Sequence, residues 1–271
     1  MTSHTILYRS SRVHYLQRGR GNRLLLCFHG YGESAATFGF LEEELGSQFT
    51  LIALDMPFHG QTDWQEGLHF TPGELLTILD QIATGLPGLE QGWWLMGYSM
   101  GGRVALSLLE KAPEKFSKLV LLAPDGLRVN PWYWLATQTS PGNLLFRWTM
   151  RKPGWFFLIL RIGNALRLVN PSVYKFTVNY IGNAPFRQEL YTRWTTMRDF
   201  RPDLKALKVL IRQRQVPVRL LYGRYDRIIR EERGEQFRQG IEEYSMIYLL
   251  PQGHQLLQLK NLGQILSLIR E

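Results

Sequence analysis

Ser99 lies in Gly97-Tyr98-Ser99-Met100-Gly101, a G-x-S-x-G pattern between the apolar run Trp93-Trp94-Leu95-Met96 and a segment with Val104, Ala105, Leu108 and Leu109 at helical spacing. A strand, a serine between glycines and a helix form the context in which this pattern presents a nucleophile. The glycines let strand and helix approach closely through a sharp turn. The Met100 amide then stands at a helix N-terminus, where developing negative charge is favoured. A serine hydroxyl is a weak nucleophile until a base removes its proton, and an imidazole does so near neutral pH. The imidazole in turn needs a carboxylate on its other nitrogen, to fix its tautomer and stabilise the imidazolium. Of six histidines, His254 in Pro251-Gln252-Gly253-His254 is the best placed, directly after the last apolar run. His4 and His14 are N-terminal and His69 reads as a loop residue. Two carboxylates compete to be its partner: Asp226 in Gly223-Arg224-Tyr225-Asp226, and Asp125 in Ala123-Pro124-Asp125-Gly126, itself a common turn sequence. Arg103, four residues past Ser99, falls on the nucleophile's side of the helix. With Tyr98 it is a candidate substrate contact, and its plainer reading is a solvated or ion-paired helix residue.

These residues need a scaffold that gathers them. Leu24–Phe28 and Phe49–Leu54 are continuous apolar runs bounded by turn residues, as strands buried on both faces are, and Trp93–Met96, Leu119–Ala123, Val218–Tyr222 and Met246–Leu250 read as further strands. Val13–Leu16 alternates weakly and reads as an early edge strand. Between the runs lie helical patterns: Phe38, Leu41 and Leu45; Leu75, Leu76, Leu79, Ile82 and Ala83; Glu231–Ile241; and Leu256 through Ile269. Thr71-Pro72-Gly73-Glu74 has the cap, the N1 proline and the N3 glutamate of a helix start, and Pro87-Gly88 is the stop. Strands alternating with helices predict an α/β fold with a mostly parallel sheet flanked by helices. Sites in such sheets form beyond the carboxyl ends of the strands. His29, Asp55, Ser99, Asp125, Asp226 and His254 all follow directly on such ends.

Composition separates one stretch from the rest. Residues 127–205 carry 12 Lys/Arg against 3 Asp/Glu and five of the eight tryptophans, whereas the remainder is balanced at 20 of each sign, so the whole net charge of +9 resides there. The expected organisation is therefore a core of 1–126 and 206–271 with a basic, aromatic-rich insertion at 127–205. Arg161 and Arg167 interrupt its most apolar run, which argues against a bilayer span. The plainest reading is that its aromatics pack the insertion against the core with the arginines solvated outside; inward-facing arginines would suit an anionic substrate, and outward-facing ones beside exposed aromatics a membrane surface and a lipid-like ester. No RNA- or DNA-binding module is present. The single cysteine, Cys27, sits in an apolar run and reads as a small buried hydrophobe. Residues 1–20 lack an apolar signal-peptide region, so a cytoplasmic location is expected.

With His29-Gly30-Tyr31-Gly32, Asp55 through Gly60, Gly97 through Gly101, Gly223 through Asp226 and Gly253-His254 in this order, the chain resembles the α/β-hydrolase family. The resemblance implies Ser99 as nucleophile and His254 as base. It favours Asp226, after the penultimate strand, as the acid, with Asp125 the alternative. It suggests the Tyr31 amide as a second oxyanion donor beside Met100, structural roles for His29 and His59, and a helical cap at 127–205. Serine at position 99 disfavours the branches with an aspartate nucleophile. Phe58 departs from the pattern, standing where many relatives have glycine before His-Gly. The expected activity is hydrolysis of a small acyl substrate, a carboxylic ester or thioester, through an acyl-serine, with neither metal nor cofactor. One rival is a C–C bond lyase or hydrolase for an anionic substrate, because Gly97 through Arg103 is similar to a menaquinone-pathway relative that eliminates pyruvate. The other is a ligand-binding homologue without catalysis.

Overall fold

A computed structural model describes residues 2–86, 88–89, 92–128 and 130–271, so Pro87 lies outside the described residues. Eight strands form one sheet: β1 (Thr2–Tyr8), β2 (Ser11–Arg18), β3 (Arg23–Phe28), β4 (Phe49–Leu54), β5 (Trp93–Tyr98), β6 (Phe116–Leu122), β7 (Val218–Gly223) and β8 (Ser245–Leu250). Their order is β1-β2-β4-β3-β5-β6-β7-β8. β1 pairs antiparallel with β2 and β2 with β4, and every pairing from β4 to β8 is parallel. The helices are α1 (Glu42–Leu45), α2 (Pro72–Thr84), α3 (Met100–Lys111), α4 (Pro131–Gln138), α5 (Ser140–Arg151), α6 (Gly154–Ala165), α7 (Pro171–Gly182), α8 (Ala184–Thr196), α9 (Leu204–Arg214), α10 (Glu232–Arg238) and α11 (Leu262–Arg270). The architecture is the α/β one that the alternating pattern predicts.

The apolar runs become strands because helices cover both faces of the sheet. Every residue of β4 and β7 is buried, as are the five residues of β3 from Leu24 to Phe28. α3 buries Val104, Ala105, Leu108 and Leu109, and also Met100, Gly101, Gly102, Leu106 and Ser107, so it is covered well beyond the face its spacing marks out. At the start of α2, Thr71 Oγ1 accepts from the Glu74 amide (3.1 Å) and Glu74 Oε2 accepts from the Thr71 amide (3.0 Å), a reciprocal capping box. The helix ends at Gly85. Phe38, Leu41 and Leu45 are buried as expected, but on a 3-10 turn (Ala35–Leu41) followed by the four residues of α1.

Chain contacts separate two compact units: residues 1–66, 70–128 and 199–271, and residues 67–69 with 129–198. The first holds the whole sheet, with α1–α3 and α9–α11. α9 begins within the 127–205 stretch yet packs on α3, burying Leu207 and Ile211. The second unit is helical, α4–α8. Within it Phe146 lies 5.5 Å from Tyr191 and 5.7 Å from Trp194 between ring centroids, and Tyr133 lies 5.1 Å from Trp194.

Candidate active site

The β5–α3 turn is built by backbone geometry. Ser99 has φ +51° and ψ −116°, a left-handed conformation that costs a non-glycine residue about 1–3 kcal/mol. Three hydrogen bonds hold it: the Ser99 amide donates to Leu122 O (2.9 Å), and Ser99 O accepts from the amides of Gly102 (2.8 Å) and Asp125 (2.9 Å). The turn is also close-packed. A Cβ on Gly97 would stand 2.3 Å from Gly101 O, and one on Gly101 would stand 1.9 Å from Phe28 O on β3. Only glycine fits at either place. Met100 opens α3, so its N–H is one of the helix-start amides that lack an intrahelical acceptor.

Ser99 Oγ lies 3.0 Å from His254 Nε2, and His254 Nδ1 lies 2.6 Å from Asp226 Oδ2. The Asp226 side chain is buried, and its other oxygen accepts from the amides of Ile228 (2.7 Å) and Ile229 (3.0 Å). Both carboxylate oxygens are thus engaged, and the orientation of the carboxylate toward His254 is fixed. The loop carrying His254 is anchored from beneath. The Tyr98 hydroxyl donates to His254 O (3.1 Å) and lies 3.3 Å from Gln255 Oε1, and the two rings sit 5.5 Å apart. Tyr98 is buried, and burial raises its phenol well above the usual tyrosine range, so it is a neutral donor. The expected substrate contact at Tyr98 therefore meets the histidine loop.

Asp125 and Arg103 engage each other. Arg103 Nη2 donates to Asp125 Oδ2, and Asp125 Oδ1 accepts from the Gly126 amide (2.8 Å). Asp226, not Asp125, is thus the carboxylate on His254. The candidate carboxylate receptor Arg103 carries a carboxylate of its own chain.

Tyr31 follows β3 in a turn closed twice, by Glu33 N–H to Gly30 O (3.2 Å) and Gly30 N–H to Glu33 Oε2 (3.3 Å). Burial pushes the Glu33 carboxyl above its ordinary value, opposed by the Gly30 amide and by His254. Nothing in residue type or spacing marks Glu33 beforehand, because its partner is a backbone amide. His29 Nδ1 donates to Gly30 O (2.8 Å) and its Nε2 accepts from the Met56 amide (3.1 Å). Asp55 braces its own loop, accepting from the amides of Ala35 (2.6 Å) and Gln61 (2.8 Å). It also meets His14 Nδ1 at 2.7 Å, and His14 Nε2 lies 2.9 Å from Ser3 Oγ. His14 is fully buried in this contact, a role its N-terminal position conceals. Phe58 has φ +62°, a conformation that favours glycine, at the position where the chain departs from the family pattern. Cys27 is buried, and burial raises its thiol above the usual range. Among the described residues no cluster of His, Cys, Asp and Glu is suited to a metal ion.

The serine aminopeptidase S33 family model matches residues 20–258. The chain is 29% identical over 248 residues to the uncharacterized hydrolase YugF of Bacillus subtilis strain 168, covering 89% of this chain and 86% of that protein. It is 36% identical over 105 residues to the pimeloyl-[acyl-carrier protein] methyl ester esterase of Salmonella newport strain SL254, a match spanning 39% of this chain and 38% of the esterase. The fold is similar to a thioesterase domain from the curacin biosynthetic pathway (TM-score 0.68, 17% identity, covering 100% of this chain and 99% of that one). It is also similar to a thermophilic esterase from Thermogutta terrifontis (TM-score 0.67, 20% identity, covering 100% and 97%). With a family model spanning most of its length and this sheet topology, the chain belongs to the serine aminopeptidase S33 family of α/β-hydrolases.

Proposed function

We propose that this protein is a serine hydrolase that cleaves a small carboxylic ester or thioester through an acyl-serine intermediate. The observation that carries the reading is the continuous relay from Ser99 Oγ through both nitrogens of His254 to a buried, doubly anchored Asp226. His254 Nε2 takes the Ser99 proton as Oγ attacks the acyl carbon, and Asp226 stabilises the resulting imidazolium. The Met100 and Tyr31 amides stabilise the oxyanion that forms. The intermediate collapses as His254 returns the proton to the departing alkoxide or thiolate, which leaves the acyl group on Ser99. Water, deprotonated by the same imidazole, then releases the acid and regenerates the serine. No step calls on a metal or cofactor. Relatives named as an esterase and a thioesterase support this reaction class.

The helical unit occupies the place in the chain, between β6 and β7, of the family's cap insertion. The C–C lyase reading draws on Arg103 and on the arginine-rich insertion, and the first of these is already held by Asp125. A fluorophosphonate probe and a p-nitrophenyl ester series test the proposal together. Labelling at Ser99, and hydrolysis lost in Ser99→Ala, are expected. A folded wild-type protein that never labels, or a Ser99→Ala variant with undiminished turnover, refutes it.

A further inference from the structure

Helix α6 of the helical unit inverts the usual arrangement. A surface helix turns its apolar stripe inward and its polar face to water. α6 (Gly-Trp-Phe-Phe-Leu-Ile-Leu-Arg-Ile-Gly-Asn-Ala) buries none of its residues. Leu158, Ile159, Ile162 and Leu166, at spacings that share one helix face, are 60%, 58%, 51% and 63% exposed, and Leu168 beyond them is 79% exposed. At the α5–α6 corner, Trp148 and Trp155 stack at 5.5 Å, and Trp155, Phe156 and Phe157 continue as a chain of ring contacts. On α5, Leu144, Leu145 and Trp148 are exposed as well.

The charges around this face have one sign. Residues 127–188 contain eight Lys or Arg and neither Asp nor Glu. Arg147, Arg151, Lys152, Arg161 and Arg167, which precede, interrupt and follow the apolar run of α6 in the chain, are all exposed. Aliphatic bulk at the centre, aromatic rings at one end and basic side chains at the margins match the layers of an anionic bilayer surface. The fit to an acidic protein is poorer, because exposed leucine and isoleucine on this scale need an apolar counterpart as well as charge. α6 has 12 residues, about 18 Å of helix, short of the roughly 30 Å hydrocarbon core. No helix among the described residues is long and apolar enough to cross a membrane, so α6 would lie in the interface plane.

We infer that the α5–α6 face docks this protein on anionic lipid bilayers, with Leu158, Ile159, Ile162 and Leu166 entering the headgroup–acyl boundary and the flanking arginines and lysine contacting lipid phosphates. This inference stands apart from the role of Ser99, since docking is read by binding rather than by turnover.

The test is flotation of the full-length protein with vesicles of phosphatidylcholine alone and of phosphatidylcholine with about 30% phosphatidylglycerol, a proportion that sets a clear surface charge. Wild type floats with the anionic vesicles and little with the neutral ones. Ile159→Asp/Ile162→Asp abolishes flotation while leaving the circular dichroism spectrum unchanged, as exposed positions allow. Arg151→Gln/Lys152→Gln, which leaves the apolar face intact, lowers partition to the anionic vesicles about fivefold per charge removed and leaves the neutral vesicles unaffected. Absence of flotation with either vesicle overturns the inference, as does flotation indifferent to lipid charge and to both double variants. A dimer in size-exclusion chromatography that Ile159→Asp/Ile162→Asp abolishes, without flotation, overturns it in favour of a second copy of the chain.

Discussion

Asp226→Asn separates the role of this carboxylate from mere occupancy of its place. One carboxylate oxygen accepts from two backbone amides, Ile228 at 2.7 Å and Ile229 at 3.0 Å, and the other meets His254 Nδ1 at 2.6 Å. Asparagine has a single acceptor oxygen, and the two amides demand it. The NH2 group must then face His254, whose Nδ1 has to become an acceptor. The imidazole proton moves to Nε2, 3.0 Å from Ser99 Oγ, where it blocks removal of the serine proton. A misplaced tautomer in such a relay costs about four decades in kcat, equal to about 5.5 kcal/mol of transition-state stabilisation. The fold should barely notice, since the side chain keeps its shape and its two amide contacts. Initial rates on a p-nitrophenyl ester, the rate of fluorophosphonate labelling and a thermal melt together make the measurement. Asp125→Asn is the matched control: its carboxylate binds Arg103 rather than His254, so kcat should stay within about threefold while stability falls by about 1 kcal/mol. An Asp226→Asn enzyme retaining more than about a tenth of wild-type kcat, or an Asp125→Asn enzyme crippled as badly, would rule out this role for Asp226.

Gly101→Ala should destabilise by at least about 3 kcal/mol or prevent soluble expression, because its Cβ meets backbone rather than a side chain that can swing away; chemical denaturation measures it. Thr71→Ala removes half of the capping box and should cost about 1 kcal/mol of stability, read as a lower Tm with unchanged kcat. Lys118 is buried, donates to Ile269 O at 2.7 Å, and is lowered to about 8 by burial and by Arg219. Below pH 8 it is charged in both folded and unfolded chains, and the folded state bears the cost. Between about 8 and the ordinary lysine value the unfolded chain binds more proton, so stability from this group rises with pH. Lys118→Met should therefore remove this pH dependence, so that its stability relative to wild type falls as pH rises from 8 to 10, as melts across that range would record.

The central strands are legible in the sequence because burial on both faces requires continuous apolar runs, and β3, β4, β5 and β7 show them. β1 is not legible. Thr2–Tyr8 forms an edge strand with only Tyr8 buried, so no apolar period announces it, and its partner β2 is an inner strand rather than the edge its weak alternation predicts. Ser99, Asp226 and His254 are legible as residues at strand ends, since chain order alone puts them on one side of a parallel sheet. The supporting contacts escape because they run to backbone: Tyr98 to a carbonyl, Glu33 to an amide, Asp226 to two amides. The exposed face of α6 escapes for the opposite reason. Its pattern shows where the apolar residues lie around the helix, but not which side the rest of the chain leaves uncovered.

The two candidate acids differ in what holds them. β6 lies between β5 and β7, so the strand end leading to Asp125 is one strand from the nucleophile's, and the one leading to Asp226 is two strands away. At roughly 4.8 Å per strand Asp125 is the nearer to Ser99, but His254 follows β8, the neighbour of β7, so strand order already favours Asp226 as its partner. Arg103, on the first turn of α3, acts in the same direction. Its guanidinium draws the Asp125 carboxylate onto α3, while the Asp125 amide stays bonded to Ser99 O and helps to hold the strained nucleophile turn. Asp226 meets His254 from the far side because β7 and β8 are adjacent, and the Tyr98 hydroxyl, rising from β5, holds the His254 loop toward Ser99. One arginine and one tyrosine, both plausible as substrate contacts from position alone, are thereby engaged in holding the geometry. What selects the substrate must then be sought among residues that the relay and its supports do not use.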